Sequence, residues 1–292
     1  MRRRRFLTLA AGLMAFPAFA GAPTRWSGIA LGAEATLVLS APEAVARPAL
    51  AAALAEIREM ERLFSLHDPA SLLSRLNAEG RLDEAPTPFR DLLARVDALH
   101  RLTGGLFDPT VQPVWEALAR GETAPGITQV GWSRVRLDGG SVRLGARQKL
   151  TLNGIAQGYA TDRVVAVLRA HGLSDAFVDI GEQAALGAPR RLGVEDPAQG
   201  LVGTITLRDG AVATSSPAAT PLGRTGHILH PARPGAAPFW ATVTVEAEDA
   251  TLADGLSTAL CHADLALARR LRSAPGLRQI LLVSAEGDLR TL

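Results

Sequence analysis

The sequence predicts an α+β domain with largely antiparallel sheet, and three observations carry that expectation. Helical and strand-like segments are mixed along the chain without the regular βαβα beat that marks a parallel sheet. The composition, 47% hydrophobic and 21% charged over 292 residues, is that of a chain with a real core, which excludes intrinsic disorder and a collagen-like fibre. No internal repeat and no low-complexity linker divides the chain, so residues 21–292 read as one domain behind an export signal at 1–20.

Each element follows from local pattern. Residues 26–40 (WSGIALGAEATLVLS) include the apolar–polar alternation of a half-buried strand. Pro42 opens a helix over 43–65, with Leu50, Leu54, Ile57, Met60, Leu63 and Phe64 on one stripe. Shorter helices follow at 70–77 and 87–102, and residues 127–152 carry short alternating strands (VRL, VRL, LTL). A helix over 154–171 precedes strands near 175–180 and 201–214. A strand at 240–247, a long helix over 250–272 and a strand pair across 278–291 complete the chain. The Pro/Gly-rich stretch 217–238 is the longest irregular segment and holds two of the six histidines. Long irregular loops in compact domains tend to be functional.

Charge and targeting belong together. The formal net charge of +2 invites a nucleic-acid reading, but Arg2, Arg3, Arg4 and Arg5 account for it: residues 1–20 hold those four bases and no acid, so the remainder is at −2. The arginine run, the apolar stretch from Phe6 to Phe16 and the small-residue site Ala18-Phe19-Ala20 read as an export signal. Arg3-Arg4-Arg5-Phe6-Leu7 fits a twin-arginine pattern, which places the expected protein in the periplasm, with an uncleaved anchor as the alternative. No apolar run reaches the roughly 18–20 residues of a membrane span. Cys261 is the one cysteine, so no internal disulfide is expected, and it sits in an apolar helical pattern as a core residue. The usual cysteine and histidine zinc patterns are absent.

Several segments could carry chemistry. In Ala253-Asp254-Gly255-Leu256-Ser257-Thr258, the carboxylate of Asp254 and the hydroxyl of Thr258 stand four residues apart on one helix face. Such oxygen ligands suit Mg2+, while a buried aspartate that caps a helix or bonds an amide is the competing reading. His227 and His230 lie in the irregular loop, where a histidine can act as general base. Asn153-Gly154-Ile155-Ala156-Gln157-Gly158-Tyr159 runs from a strand into a helix, and its amides could hold phosphate, though tight packing explains the glycines equally well. A serine-hydrolase elbow at Gly255-Leu256-Ser257-Thr258-Ala259 is a rival that lacks both the preceding strand and the serine-before-histidine order.

Taken in order, these segments resemble the ApbE family of FAD:protein FMN transferases. Met60-Glu61 with Phe64-Ser65 and Ser71 to Asn77, Gly105 to Val111 (GLFDPTV), Asn153 to Asp162, Ala213-Thr214-Ser215, His227-Ile228-Leu229 and Ala253 to Leu260 are similar to successive family motifs, over about residues 26–290. The resemblance implies a two-lobed, T-fold-related architecture of antiparallel sheets flanked by helices, with FAD and Mg2+ in a cleft between the lobes. It implies that FMN passes from FAD to a threonine of a partner protein and that AMP is released. It assigns Asp254, Thr258 and the Ala156 carbonyl to Mg2+, and His227 to deprotonation of the threonine. Ser65, His67, Phe107, Asp108, Thr110, Gly154, Ala156, Gln157, Glu182, Thr214 and Ser215 fall at its FAD-site positions. The implied acceptor is a periplasmic or membrane-bound protein of a redox system. An FAD-storage protein and an FAD pyrophosphatase would share Asp254 and Thr258. The chain departs from the family at His67, where an aromatic is common, at Gln157 in place of lysine, at Gly181-Glu182-Gln183 in place of Gly-Gly-Asp, at Ser215-Ser216-Pro217 in place of a Ser-Gly pair, and at 230–235 in place of D-P-R-T-G.

Overall fold

The alternating segment at the start of the domain folds as a hairpin of β1 (Thr24–Ala30) and β2 (Ala33–Leu39), in a computed structural model that describes residues 7–9, 22–122, 126–222 and 226–292. The two turn residues, Leu31 and Gly32, both take positive φ (50° and 77°), the backbone hand that two-residue hairpins require. Leucine is strained there, and its amide is held by Glu61 Oε1 at 2.9 Å.

Six further strands extend this hairpin: β3 (Ala176–Asp179), β4 (Gln183–Leu186), β5 (Gly210–Ser215), β6 (Thr242–Ala247), β7 (Leu277–Val283) and β8 (Leu289–Thr291). All eight lie in one sheet in chain order, each antiparallel to its neighbours. From Leu31 to Asp288, the rest of the described chain is inserted between consecutive strands. Helices α1 (Glu43–Phe64), α2 (Leu72–Glu79), α3 (Thr87–Leu102), α4 (Gln112–Ala119) and α5 (Ala156–Ala170) lie between β2 and β3. Between β6 and β7 come α6 (Ala250–Leu260) and α7 (Leu265–Leu271).

The period of two decides which face each side chain joins. Leu37, Leu39, Ala176, Val178, Ala184, Leu186, Ala213, Val243, Ile280 and Leu282 join the core under the helices. Their neighbours Val38, Phe177, Ala185, Val212 and Leu281 point the other way, into a second core roofed by the hairpin Arg190–Asp196 and Gly200–Leu207. The strand Leu7–Leu9 pairs antiparallel with that hairpin. The rest of the expected leader, 1–6 and 10–20, lies outside the described residues. A small sheet of Arg81–Leu82, Arg136–Asp138 and Ser141–Arg143 lies beside α2 and α3, and its Leu82 and Val142 belong to the same core as the large sheet.

The departures from expectation have local causes. The helix expected over 250–272 is two helices, because the Asp264 side chain accepts the Leu267 amide and starts α7 afresh. The strand expected at 150–152 does not form: the Leu150 amide and carbonyl are taken by the side-chain amide of Asn77, at 2.7 and 2.8 Å. The strand expected over 201–214 is two strands turned at Asp209, whose φ is 43°. Helix α4 and strand β4 are not signalled by the sequence pattern; β4, Gln-Ala-Ala-Leu, is four residues long, too short to show a period. Among the described residues no helix is long and apolar enough to cross a membrane.

Candidate active site

The strongest feature is a corner where the start of α5 meets α6. Asp254 and Thr258 project from α6 toward the α5 N-terminus, and the Gly158 amide donates to Asp254 Oδ2 at 3.0 Å. The relation is reciprocal. Asp162, on α5, accepts the Ala250 amide at 2.7 Å on Oδ1 and the Thr251 amide at 2.9 Å and hydroxyl at 2.5 Å on Oδ2. Each helix thus satisfies first-turn amides of the other with a carboxylate, where helix N-termini have orphan donors and a positive dipole end. Burial pushes the Asp162 carboxyl up, against the downward pull of its hydrogen bonds.

Glycines permit the approach. A Cβ at Gly158 would stand 2.2 Å from the Ala250 carbonyl oxygen and 2.8 Å from the Asp254 Cβ; one at Gly154 would stand 2.8 Å from Thr258 Oγ1. These glycines therefore serve close helix–helix packing. The amides of Ala156 and Gly158 are already bonded, to Leu152 O and Asp254, so the corner relies less on helix-start amides for anion binding than the sequence allows.

The end of β5 closes the corner. Ser215 Oγ lies 2.8 Å from Ser257 Oγ and 3.3 Å from Thr258 Oγ1, and Thr214 Oγ1 lies 2.8 Å from Thr244 Oγ1 on β6. Ser257 is mid-helix and buried, with its hydroxyl bonded to Asp254 O at 3.0 Å, which overturns the serine-hydrolase reading. Cys261 is fully buried and burial pushes its thiol far up, so it is a core residue and not a nucleophile.

His227 is tied to the same strand end. Its ring Nδ1 lies 3.0 Å from Pro217 O, and its amide donates to the same carbonyl at 3.2 Å. A carbonyl only accepts, so Nδ1 carries the proton and Nε2 is the basic nitrogen of the neutral ring. Ser215 reaches Thr258 and Pro217 reaches His227, so three consecutive residues link His227 to the corner. Gln157 and Glu182 are neighbours as well: both are buried, Gly181 takes φ 115°, and a Cβ there would stand 2.1 Å from Gln157 Nε2.

Two groups of nominated residues act through the backbone. Asp108 Oδ1 accepts the Thr110 amide (2.9 Å) and hydroxyl (2.5 Å), Asp108 Oδ2 accepts the Trp132 amide (3.0 Å), and Thr110 Oγ1 accepts the Gly131 amide (2.7 Å). With Phe107 buried, this knot ties 107–110 to 131–132. Ser65 caps the end of α1, its Oγ accepting the amides of His67 and Asp68, and His67 is exposed.

Sequence reasoning passed over Asp162 and His262. His262 follows Thr258 by four residues, a continuation of the Asp254–Thr258 spacing that the sequence does display. It is 5% exposed, its Nε2 lies 3.0 Å from Ile228 O, and its Nδ1 has no partner among the described residues. Burial lowers the pKa of both His262 and His230, the two rings meeting edge to face at 5.5 Å. Next to them opens a cleft of about 640 Å³ between the end of α3, the 230–239 loop and α7; His230 lines it, and none of the residues at the family's metal, base or FAD positions does.

Among the described residues no three His, Cys, Asp or Glu side chains cluster as a metal site. The donors at the corner are one carboxylate, hydroxyls and backbone carbonyls, the hard oxygen set that Mg2+ accepts when substrate phosphate completes its shell.

Comparison with known proteins agrees with this architecture. The sequence profile described as the ApbE family matches residues 31–281. An FAD:protein FMN transferase of Rhodobacter capsulatus is 28% identical over 275 residues, 85% of this chain and 53% of that protein, so the chain spans about half the length of this relative. The crystal structure of an ApbE protein from Thermotoga maritima superposes with a TM-score of 0.83 at 27% identity, over 92% of this chain and 96% of the other. The apo flavinyl transferase ApbE of Pseudomonas stutzeri gives 0.77 at 25% identity, over 92% and 94%.

Proposed function

Because the chain belongs to the ApbE family, we propose that it is a Mg2+-dependent FAD:protein FMN transferase that modifies a threonine hydroxyl of an electron-transfer protein. The observation that carries the reading is the corner itself: Asp254 and Thr258 stand against a glycine-opened α5 N-terminus, one short segment away from a histidine with its basic nitrogen defined. Asp254, Thr258 and the Ala156 carbonyl would hold the ion. Bound there, Mg2+ would neutralise charge on the diphosphate oxygens of FAD.

The protein's own groups do the rest. His227 Nε2 takes the proton of the acceptor hydroxyl, and its Nδ1–H bond to Pro217 O keeps the ring in the tautomer that can do so. The threonine oxygen bonds to the phosphorus on the FMN side, the bridging P–O bond breaks, and AMP leaves with the bond's electron pair. Ser215 orients the Thr258 hydroxyl, and the Asp108–Thr110 knot holds rigid a segment that falls at the family's FAD-site positions. An exposed His67 offers the flavin a polar neighbour in place of the common aromatic. The arginine-led leader supports export to the periplasm, with the acceptor in a periplasmic or membrane-bound redox system.

Incubating the protein with FAD, Mg2+ and a flavin-acceptor domain tests this directly. Fluorescent acceptor in a denaturing gel with AMP in solution is the expected result. AMP and FMN without labelled acceptor would make it a pyrophosphatase, and bound FAD with neither product a storage protein.

A further inference from the structure

The cleft beside the corner has a chemistry of its own. Its walls carry Arg101 and Leu102 at the end of α3, Arg233 and Phe239 on the loop, and Arg270 on α7. Arg101 pairs with Asp97 at 2.7 Å, but Arg233 and Arg270 have no carboxylate partner among the described residues. Among the described residues the one acid lining the cleft, Asp264, is used to cap α7. These cations stand out because residues 21–292 are net acidic, at −2. Two large apolar side chains are exposed at the same place, Phe239 at 54% and Leu102 at 39%. Phe239 is presented, not loose: its amide donates to Cys261 O at 2.8 Å, and the next residue, Trp240, bonds Ala263 O at 2.9 Å.

The cleft is also joined to the base. Ile228, the residue after His227, is bonded to His262, and His262 and His230 form the side of the cleft nearest that loop. We propose that this cleft docks an acidic segment of the flavin-acceptor protein, carboxylates on Arg233 and Arg270 and an apolar side chain against Phe239, and so delivers the acceptor hydroxyl to His227. The inference rests on the transferase reading. FAD is the weaker occupant on charge grounds: its two phosphate charges belong at the Asp254–Thr258 corner, and its remaining ends are neutral. Two arginines without a carboxylate partner among the described residues, Arg233 resting on His230 Nε2 at 3.1 Å, stand beside an exposed aromatic, and arginine and aromatic side chains are enriched in protein-binding anchors.

The test uses the full chain and a fluorescein-labelled peptide with one threonine, one leucine and three aspartates, alongside its asparagine counterpart. The acidic peptide should bind at low salt and the neutral one at least about tenfold more weakly. The double variant Arg233→Glu/Arg270→Glu, at two exposed positions, should lose the acidic peptide and raise the KM for an acceptor domain about tenfold or more, with the FAD dissociation constant unchanged. Phe239→Ala should weaken both peptides alike. Equal binding of the two peptides, or an unaltered double variant, would overturn the proposal. Weaker FAD binding with an unchanged acceptor KM would assign the cleft to the dinucleotide and overturn it too. Peptide binding needs no turnover, so it is read separately from the outcome of the transferase assay.

Discussion

The α5–α6 corner and the loop from Ser216 to Ala241 sit side by side and are built differently. In the corner, carboxylates and amides are exchanged between two helices, glycines remove every spare atom between them, and Asp254 is 3% exposed. The described residues of the loop have almost no regular structure and are pinned at a few points: His227 to Pro217 O, Ile228 O to His262, and Phe239 to Cys261 O. The corner resembles a core that happens to end in oxygen donors, whereas the loop is an exposed segment tethered to it. A charge-stabilising site needs groups that do not reorganise, and burial between two helices supplies that. A segment that must meet a second macromolecule needs accessible side chains, and loops supply those. The departures from the family pattern at 215–217 and 230–235 fall in or next to the loop, and the one at 157 lies at the start of α5.

The contrast can be broken at either end. The largest effect is expected from Asp254→Ala, which should lower kcat by about 10³-fold or more, since a bound metal supplies several kcal/mol and each 1.4 kcal/mol is tenfold. Mg2+ binding by calorimetry should disappear with it while the fold survives; retained Mg2+ binding would detach the metal from this corner. His227→Ala should cost roughly 10²–10⁴-fold and remove the ascending limb of the pH–rate profile, without changing FAD binding. A variant that keeps the limb would move the base elsewhere.

Next in size, Asp162→Ala leaves the Ala250 and Thr251 amides buried without a partner and should destabilise the protein by about 2–3 kcal/mol in chemical denaturation. If the corner is the rigid unit described, Mg2+ affinity should fall in the folded variant as well, because the cap positions the helix that bears Asp254. An unchanged Mg2+ affinity would mean that α6 is held by packing alone.

The loop should respond to acid before the corner does. His230 and His262 have pKa values lowered by burial from the usual 6.5, so the fold favours their neutral forms. Their contribution is fully present above the unfolded value of about 6.5 and is lost as pH falls from there toward the folded values. Hydrogen exchange at 226–240 should therefore rise between pH 7 and 5 while amides of α5 and α6 stay protected. Uniform exchange across both regions would erase the contrast. The smallest effect belongs to Cys261, which in the native state should resist maleimide labelling, because its thiol is buried and held protonated.

Much of this was legible from local pattern. The alternation in 26–40, the apolar stripe of α1 and the boundaries of α3 are set by short-range periodicity, and that is what a one-dimensional sequence records. The i, i+4 spacing of Asp254 and Thr258 fixes that they share a helix face, and the glycines of 153–158 fix where a close approach is possible. Other features depend on partners far along the chain. Asn77 captures Leu150 and cancels a strand from 73 positions away. Asp162 reads as one more polar residue in a helix until α6 is laid against it, 88 residues later. The glycines themselves could serve phosphate or packing, and only the position of Thr258 and Ala250 shows that they serve packing. The arginines of the cleft come from α3, the loop and α7, three segments with no common period. Periodicity tells which face of an element is buried, but what lies on the other side of that face is decided by long-range contacts, and those exist only once the chain has closed on itself.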